Sequence, residues 1–468
     1  MHRVQQNGSR RLVQLARLSS RLMHAASPTG PSQHFRCVVI GGGVVGTSIL
    51  YHLARNGWGD VALIERTELT AGSTWHAAAG FHAQNRDATM ASLQAYTIKL
   101  YSEIERESGI NVGLKRTGGF SLAGTTERWE QLKTEWAHFQ SLGHETHLVS
   151  PVEVAAKCPI VDVSNVVGGL FDPSEGRCDP HGTTHAYAGA AKKRGAQVLL
   201  HNRVTGMTWR DASSEWLLKT EKGSITCEHV INAAGLWARK VGDMVGLNLP
   251  VTPMQHHYLI TEDVPEIAAL GGSPYDQMPS VTDLEGFTYL QQERSGVLLG
   301  IYERSPRHWH VGGAPWEYGQ ELIPEEVERI SEELSIGLDR FPALQRVGIR
   351  KWVNGAFTFT PDGNPIVGPV RSERFKNYWV ACGCMAGFSQ GGGVGLALAN
   401  WITEGDPGFD VFGMDVARYG PYASNNKYLR DTTEQFYSRR FVLSHPNEEL
   451  PAGRPLKTSA VYDAMKVC

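Results

Sequence analysis

The chain has 468 residues, 41% hydrophobic and 20% charged, an ordinary globular composition whose length suggests two or three domains with ample core. A formal net charge of −3 excludes the basic footprint of a nucleic-acid partner or of attachment to an anionic membrane surface, and no run of about 18 apolar residues is present to span a bilayer. The seven cysteines, at 37, 158, 178, 227, 382, 384 and 468, are odd in number and scattered, as in a reducing compartment. Cys382 and Cys384 have no second ligand pair near them, so no metal site is expected.

The first 34 residues differ from the rest. They contain Arg3, Arg10, Arg11, Arg17 and Arg21, and no acid precedes Asp60. On a helix, Arg3, Arg10, Arg17 and Arg21 fall within about 40° of arc. Leu12, Leu15, Leu18 and Leu22 cover the opposite side. This is the pattern of a mitochondrial presequence, and it makes the mitochondrial matrix the expected location. Residues 27–32 read as a linker, and the fold is expected to start near Phe35.

Residues 37–40 (CVVI) form a short apolar strand, followed by GGGVVG, a helical pattern and a second strand, VALIE, ending at Glu65. Strand, glycines at Gly41, Gly43 and Gly46, helix, strand and acid make a dinucleotide-binding βαβ unit. The glycines serve a tight turn, the approach of a pyrophosphate to the helix start at Val44 and Val45, and close helix–strand packing. Glu65, followed by Arg66, is placed for the ribose hydroxyls of an adenosine. NAD and FAD both stay open on these residues alone. GSTWHAAAGFH, residues 72–82, comes next: small residues let a backbone approach a flat ligand, and Trp75, His76 and His82 stand among them.

Helices are predicted over 89–108 and 125–143, with a strand near 118–122. A second α/β stretch covers 181–200, followed by the strands WLLKT and HVINAAGLWA. Residues 251–302 are strand-rich, which suggests a sheet with one face over a ligand. On QHHYLIT, His256 and Tyr258 share one face and Gln255 and His257 the other. A helix is predicted over 324–338. NYWVACG and GGGVGLALANWI then read as a strand, a glycine loop (Gly391, Gly392, Gly393, Gly395) and a helix.

CVVIGGGVVGTS, ELTAGSTWHAA, VINAAGLWAR, QHHYLITED, FTPDGNPIVGP and MAGFSQGGGVGLALANWI together resemble the mitochondrial dimethylglycine and sarcosine dehydrogenases and their bacterial relatives, from about residue 35 to the end. The resemblance implies an α/β fold with an α+β substrate part: a discontinuous Rossmann-like FAD-binding domain (35–90, 150–250, 350–405) with an inserted antiparallel-sheet substrate domain (91–149, 251–349). Residues 406–468 would be a linker toward a folate-binding domain absent from this chain.

The same resemblance implies FAD carried covalently on His76, with Gly72, Ser73, Thr74, Trp75, Ala77 and Ala78 about its ring. A neutral imidazole is a nucleophile, and N-alkylation tunes the flavin electronically. Monomeric sarcosine oxidases use a cysteine five residues before T-P-D instead; that position here is Gly355, which closes the route. Val204 would lie with its backbone at the adenine, Gly235 at a strand end beside the cofactor, and the glycine loop at the flavin N1/C2=O edge. His256, Tyr258 and Tyr302 would be catalytic, His256 with a pKa near the operating pH. The motifs leave the carboxylate clamp unidentified: the lysine of sarcosine oxidases is matched here by Ser389, and Arg350 and Lys351 are only candidates for it. The substrate would be a small N-methyl amino acid, dimethylglycine before sarcosine, and the acceptor an electron-transfer flavoprotein; no nucleic acid and no stable membrane insertion are expected. The rival readings are a non-catalytic regulatory subunit, like the pyruvate dehydrogenase phosphatase regulatory protein, and an oxygen-using amino-acid oxidase.

Overall fold

In the computed structural model, which describes residues 33–270 and 277–466, the first sheet grows around β1 (Gln33–Ile40). The presequence pattern in residues 1–32 lies outside the described residues. β1 runs parallel to β2 (Val61–Ile64) on one side and β11 (Gly223–Asn232) on the other. β8 (Gln197–Leu199) and β18 (Tyr378–Cys382) extend the parallel order to β18–β11–β1–β2–β8. β17 (Ile366–Pro369) closes one edge antiparallel, and β9 (Val204–Arg210) and β10 (Glu215–Thr220) branch from β11. β2 and β18 are buried at every position, because a parallel sheet is covered on both faces. Cys37 and Val39 face a core shared with α1 (Val44–Arg55), α2 (Ala88–Ser108), α3 (Pro180–Lys192) and α4 (Gly387–Glu404). Val38 and Ile40 face the other core, built with β9, β10 and residues 238–251.

The second sheet has the order β16–β12–β15–β14–β13–β4–β6–β5. Its strands are β4 (Gly119–Ala123), β5 (His147–Val149), β6 (Gly168–Asp172), β12 (Thr252–Thr261), β13 (Ser280–Asp283), β14 (Thr288–Glu293), β15 (Gly296–Ile301) and β16 (Ile349–Phe359). All neighbours are antiparallel except β13 and β4, which are parallel. β3 (Gly80–Phe81) and β7 (Gly176–Arg177) form a separate two-stranded ribbon.

The structure moves three of the expected boundaries. β6 and β16 belong to the second sheet, although 150–250 and 350–405 were expected in the cofactor domain. α2 falls largely within 91–149, yet it packs on α4 in the first core. Residues 406–468 are more than a linker: α5 (Asn426–Ser438) packs against β12, and its Tyr437 is fully buried with Met254 and Phe359. The helix expected over 324–338 begins as a 3₁₀ turn at Val327–Ile330 and is α-helical only over Ser331–Arg340.

The expected glycine loop is also corrected. Gly391, Gly392, Gly393 and Gly395 all lie inside α4. A Cβ on Gly393 would come within 2.5 Å of the Leu93 carbonyl oxygen, one on Gly392 within 3.0 Å of Thr97, and one on Gly395 would overlap Ser48. These glycines let α4 lie directly on α2 and α1, and the Gly393 amide donates to Thr97 Oγ1 at 2.8 Å. Among the described residues, no helix is long and apolar enough to cross a membrane.

Gly391 has nothing closer than 3.8 Å to its missing Cβ. Gly393→Ala should therefore lower stability by about 1–3 kcal/mol through overpacking, while Gly391→Ala should be neutral or gain up to about 1 kcal/mol of helix propensity. Urea unfolding of the two variants measures the contrast.

Candidate active site

A cavity of about 360 Å³ lies where the C-terminal ends of β1 and β11 meet the face of the second sheet. Its nucleotide half is a backbone cradle. Gly41 has φ +119°, and a Cβ there would overlap the Ala233 carbonyl; a Cβ on Gly46 would overlap the Gly41 carbonyl. The helix start beyond Gly43 opens into the cavity, its Val44 amide donating to Thr74 Oγ1 at 3.3 Å, and a helix N-terminus there favours a phosphate. Glu65 faces the same space, its carboxylate accepting from the Gly42 and Thr67 amides at 2.8 and 2.9 Å.

The run of small residues crosses the middle of the cavity. Ser73–His76 is a single 3₁₀ turn. Ser73 Oγ donates to the Ala356 carbonyl at 2.7 Å, Tyr258 Oη to the His76 carbonyl at 3.0 Å and Gln291 Nε2 to the Ala78 carbonyl at 2.9 Å. The His76 side chain is buried, and burial, with a smaller push from the Lys351 charge, lowers its pKa to about 4, so the imidazole is neutral. Its Nε2 is buried without a hydrogen-bond partner among the described residues. Gly355 is the reason the ring fits: a Cβ there would overlap His76 Nδ1.

The third wall comes from β12. His256 and Tyr258 face the cavity, as the strand alternation predicts. His256 is held between two phenols, Nδ1 at 2.7 Å from Tyr437 Oη and Nε2 at 3.1 Å from Tyr289 Oη, with the Tyr302 ring centroid 4.7 Å away. Burial first, then the neighbouring His257 and His76, lower its pKa to about 3. The expectation of a histidine titrating near the operating pH is overturned, because no charged partner offsets the desolvation. On the opposite face His257 Nδ1 lies 3.1 Å from Glu303, and Arg329 joins Glu303 to Gln255. That buried network fixes the strand beneath the site.

Of the residues expected at the site, Gly41, Gly43, Val44, Val45, Gly46, Glu65, Gly72, Ser73, Thr74, His76, Ala77, Ala78, Gly235, His256, Tyr258 and Tyr302 line the cavity, as does His82. Seven do not. Arg66 donates to the Trp316 and Tyr318 carbonyls and stacks on Trp237. Trp75 turns toward Lys351, Val204 packs in the core behind the sheet, Gly392, Gly393 and Gly395 are spent on helix packing, and Gly391 lies in the same helix away from the cavity lining. Arg350 is paired with exposed Asp263 at 3.1 Å, and neither it nor Lys351 reaches the cavity.

The sequence reading missed Tyr289, Tyr437, Arg440, Phe441 and Glu175. Tyr289 alternates with Gln291 on β14 and was open to the same strand argument as His256. Glu175 is partly buried in the cavity wall, and desolvation, then Asp172, raises its pKa to about 8; Ser280 Oγ donates to it. The residues present fit a dinucleotide of FAD type: glycine cradle, helix start, acid, and an orphaned imidazole nitrogen further along the same cavity.

Residues 36–401 match the family described as FAD dependent oxidoreductase, and residues 404–459 match the FAD dependent oxidoreductase central domain. Mitochondrial dimethylglycine dehydrogenase of Mus musculus is 37% identical over 94% of this chain and 50% of its own length. Mitochondrial sarcosine dehydrogenase of Mus musculus is 32% identical, over 94% and 48%. The mitochondrial pyruvate dehydrogenase phosphatase regulatory subunit of Mus musculus is also 32% identical, over 96% and 50%. The chain thus spans about half the length of the curated relatives it matches. Among solved structures, L-proline dehydrogenase from P. horikoshii superposes with a TM-score of 0.71 at 28% identity, over 83% of this chain and 98% of that one.

His52, His76 and His256 are all held neutral, at about 3, 4 and 3 against the ordinary 6.5. Below pH 6.5 the unfolded chain binds protons at these sites and the folded chain does not. Stability is therefore full above pH 6.5 and falls with acid, by up to about 1.4 kcal/mol per pH unit for each histidine. Urea midpoints should drop between pH 6.5 and 5; a flat midpoint would contradict the neutral imidazoles.

Proposed function

The chain belongs to the FAD dependent oxidoreductase family, and on that footing we propose that it oxidises an N-methyl group of a small amino acid, dimethylglycine first and sarcosine second. The observation that carries the reading is His256, an uncharged imidazole clamped by Tyr289 and Tyr437 on the wall of the cavity that also holds His76. FAD, when bound, supplies the two-electron acceptor that takes up the C–H electrons of the methyl carbon. This chain's residues supply the rest. Tyr289, Tyr302, Phe357 and Phe441 make an aromatic wall of the cavity. Burying an ammonium there is costly, so the wall favours the neutral amine, the form that can give up electrons. His256, held neutral by its burial, adds no competing positive charge. The Tyr258 and Tyr302 rings shape the space around the methyl group.

His76 would hold FAD covalently through its unpartnered Nε2. The mitochondrial names of the relatives support a mitochondrial location; the proposal takes the matrix as the compartment and an electron-transfer flavoprotein as the acceptor. Hydrolysis of the resulting iminium yields formaldehyde. A regulatory subunit is the second reading, favoured by the 32% match to the phosphatase regulatory subunit.

The test is to incubate the flavin-loaded protein with dimethylglycine and an artificial electron acceptor, measuring formaldehyde and oxygen uptake. One formaldehyde per acceptor pair reduced, with little oxygen consumed, is expected. Rapid oxygen consumption would mean an oxidase, and no turnover of dimethylglycine or sarcosine would favour the regulatory reading.

A further inference from the structure

We propose that Arg440 forms a carboxylate-binding site in the cavity, holding the α-carboxylate of the amino-acid substrate, and that this anchor comes from the segment after α5 and not from either sheet. The inference rests on the amine-oxidising reading above and adds the group that orients its substrate.

Arg440 is the one lysine or arginine among the described residues lining the cavity. Its Nε is buried, and it has neither a hydrogen-bond partner nor an ion pair for its side chain among the described residues. Arg440 is only partly buried and lines the cavity with its guanidinium unpaired, and a planar carboxylate there would satisfy its fork with two charge-assisted hydrogen bonds.

Neither Glu175 in the cavity wall nor its neighbour Asp172 pairs with Arg440. Glu175 has its pKa raised to about 8 and bonds to Ser280, so it is mainly uncharged at neutral pH. Asp172 uses Oδ1 to accept from the Ser174 amide at 2.8 Å and hydroxyl at 2.6 Å, and its Oδ2 is buried without a hydrogen-bond partner among the described residues, so it makes no bond to Arg440. Arg440 and His82 both line the cavity, and burial first, then the Arg440 charge, holds the His82 pKa down.

The position also fits substrate better than cofactor phosphate. Arg440 follows Tyr437, whose hydroxyl contacts His256, and its amide donates to the Tyr437 carbonyl at 3.0 Å. The next residue, Phe441, packs its ring on Tyr302 at 5.0 Å. Arg440 therefore stands with the aromatic wall and apart from the glycine cradle of Gly41–Gly46. The segment is held in place: Arg128, itself buried, donates to the Phe441 carbonyl and pairs with Glu285 at 2.7 Å.

The test compares Arg440→Gln and Arg440→Lys in the flavin-loaded protein, with Arg439→Gln, whose side chain pairs with Glu448, as control. The substrates are dimethylglycine and N,N-dimethylaminoethanol, which replaces the carboxylate by a hydroxymethyl group. Arg440→Gln should raise KM for dimethylglycine about 10- to 100-fold with kcat changed far less. KM for the amino alcohol should not move. Arg440→Lys should recover part of the loss, and Arg439→Gln should match wild type. An unchanged KM, or an equal loss with both substrates, would overturn the assignment. If Arg440→Gln fails to fold, Arg440→Lys must still show a raised KM for dimethylglycine alone. If the wild type oxidises no N-methyl amino acid, the functional reading fails separately. The anion site is then read from binding of (methylthio)acetate by tryptophan fluorescence: affinity lost in Arg440→Gln supports it, and equal affinity refutes it.

Discussion

The residues from Thr70 to Ala78 are bonded to both halves of the molecule at once. On the nucleotide side, the Thr70 amide donates to the Gly42 carbonyl and the Val44 amide to Thr74 Oγ1. On the other side, Ser73 donates to β16, while Tyr258 of β12 and Gln291 of β14 donate to the carbonyls of His76 and Ala78. Larger side chains here would push the sheets apart and fill the cavity. His76 is admitted because Gly355 leaves space for its ring. The small residues on both sides of the seam thus set the distance between a nucleotide cradle and a substrate wall.

That seam places the site in a low-dielectric interior, and burial governs its electrostatics. His76 and His256 stay neutral, and Glu175 holds its proton, because none gains a charged partner to offset lost hydration. Beneath β12 the buried charges are paired, Glu303 with Arg329. Arg440 departs from that pattern, and a ligand carboxylate would restore it.

Local patterns were legible in the sequence. The βαβ unit could be read from four consecutive cues, and the faces of β12 from period-two alternation at Gln255, His256, His257 and Tyr258. What the sequence hid depends on residues far away in the chain. A glycine run before an apolar stretch looks the same whether it forms a loop or lets a helix lie on its neighbours; Leu93, Thr97 and Ser48 decide the matter for α4. Arg350 and Lys351 were reasonable cations by composition, but they occupy the exposed start of β16. Tyr437 and Arg440 sit in a polar stretch that reads as a linker, and only the packing of α5 on β12 brings Tyr437 to His256 and Arg440 to the cavity. Arg66 and Trp75 lie in the expected motifs, yet their side chains leave the site for Trp237, Trp316 and Lys351.

The central claim is that this cavity is built around FAD with His76 against it. It is tested most directly by precipitating the full-length protein and its His76→Ala variant in acid, then viewing the washed pellets on a denaturing gel under ultraviolet light. Flavin fluorescence in the wild-type band alone, with the variant releasing its yellow colour to the supernatant, is the predicted result. A dark wild-type band, or fluorescence that survives His76→Ala, would contradict the role given to that imidazole.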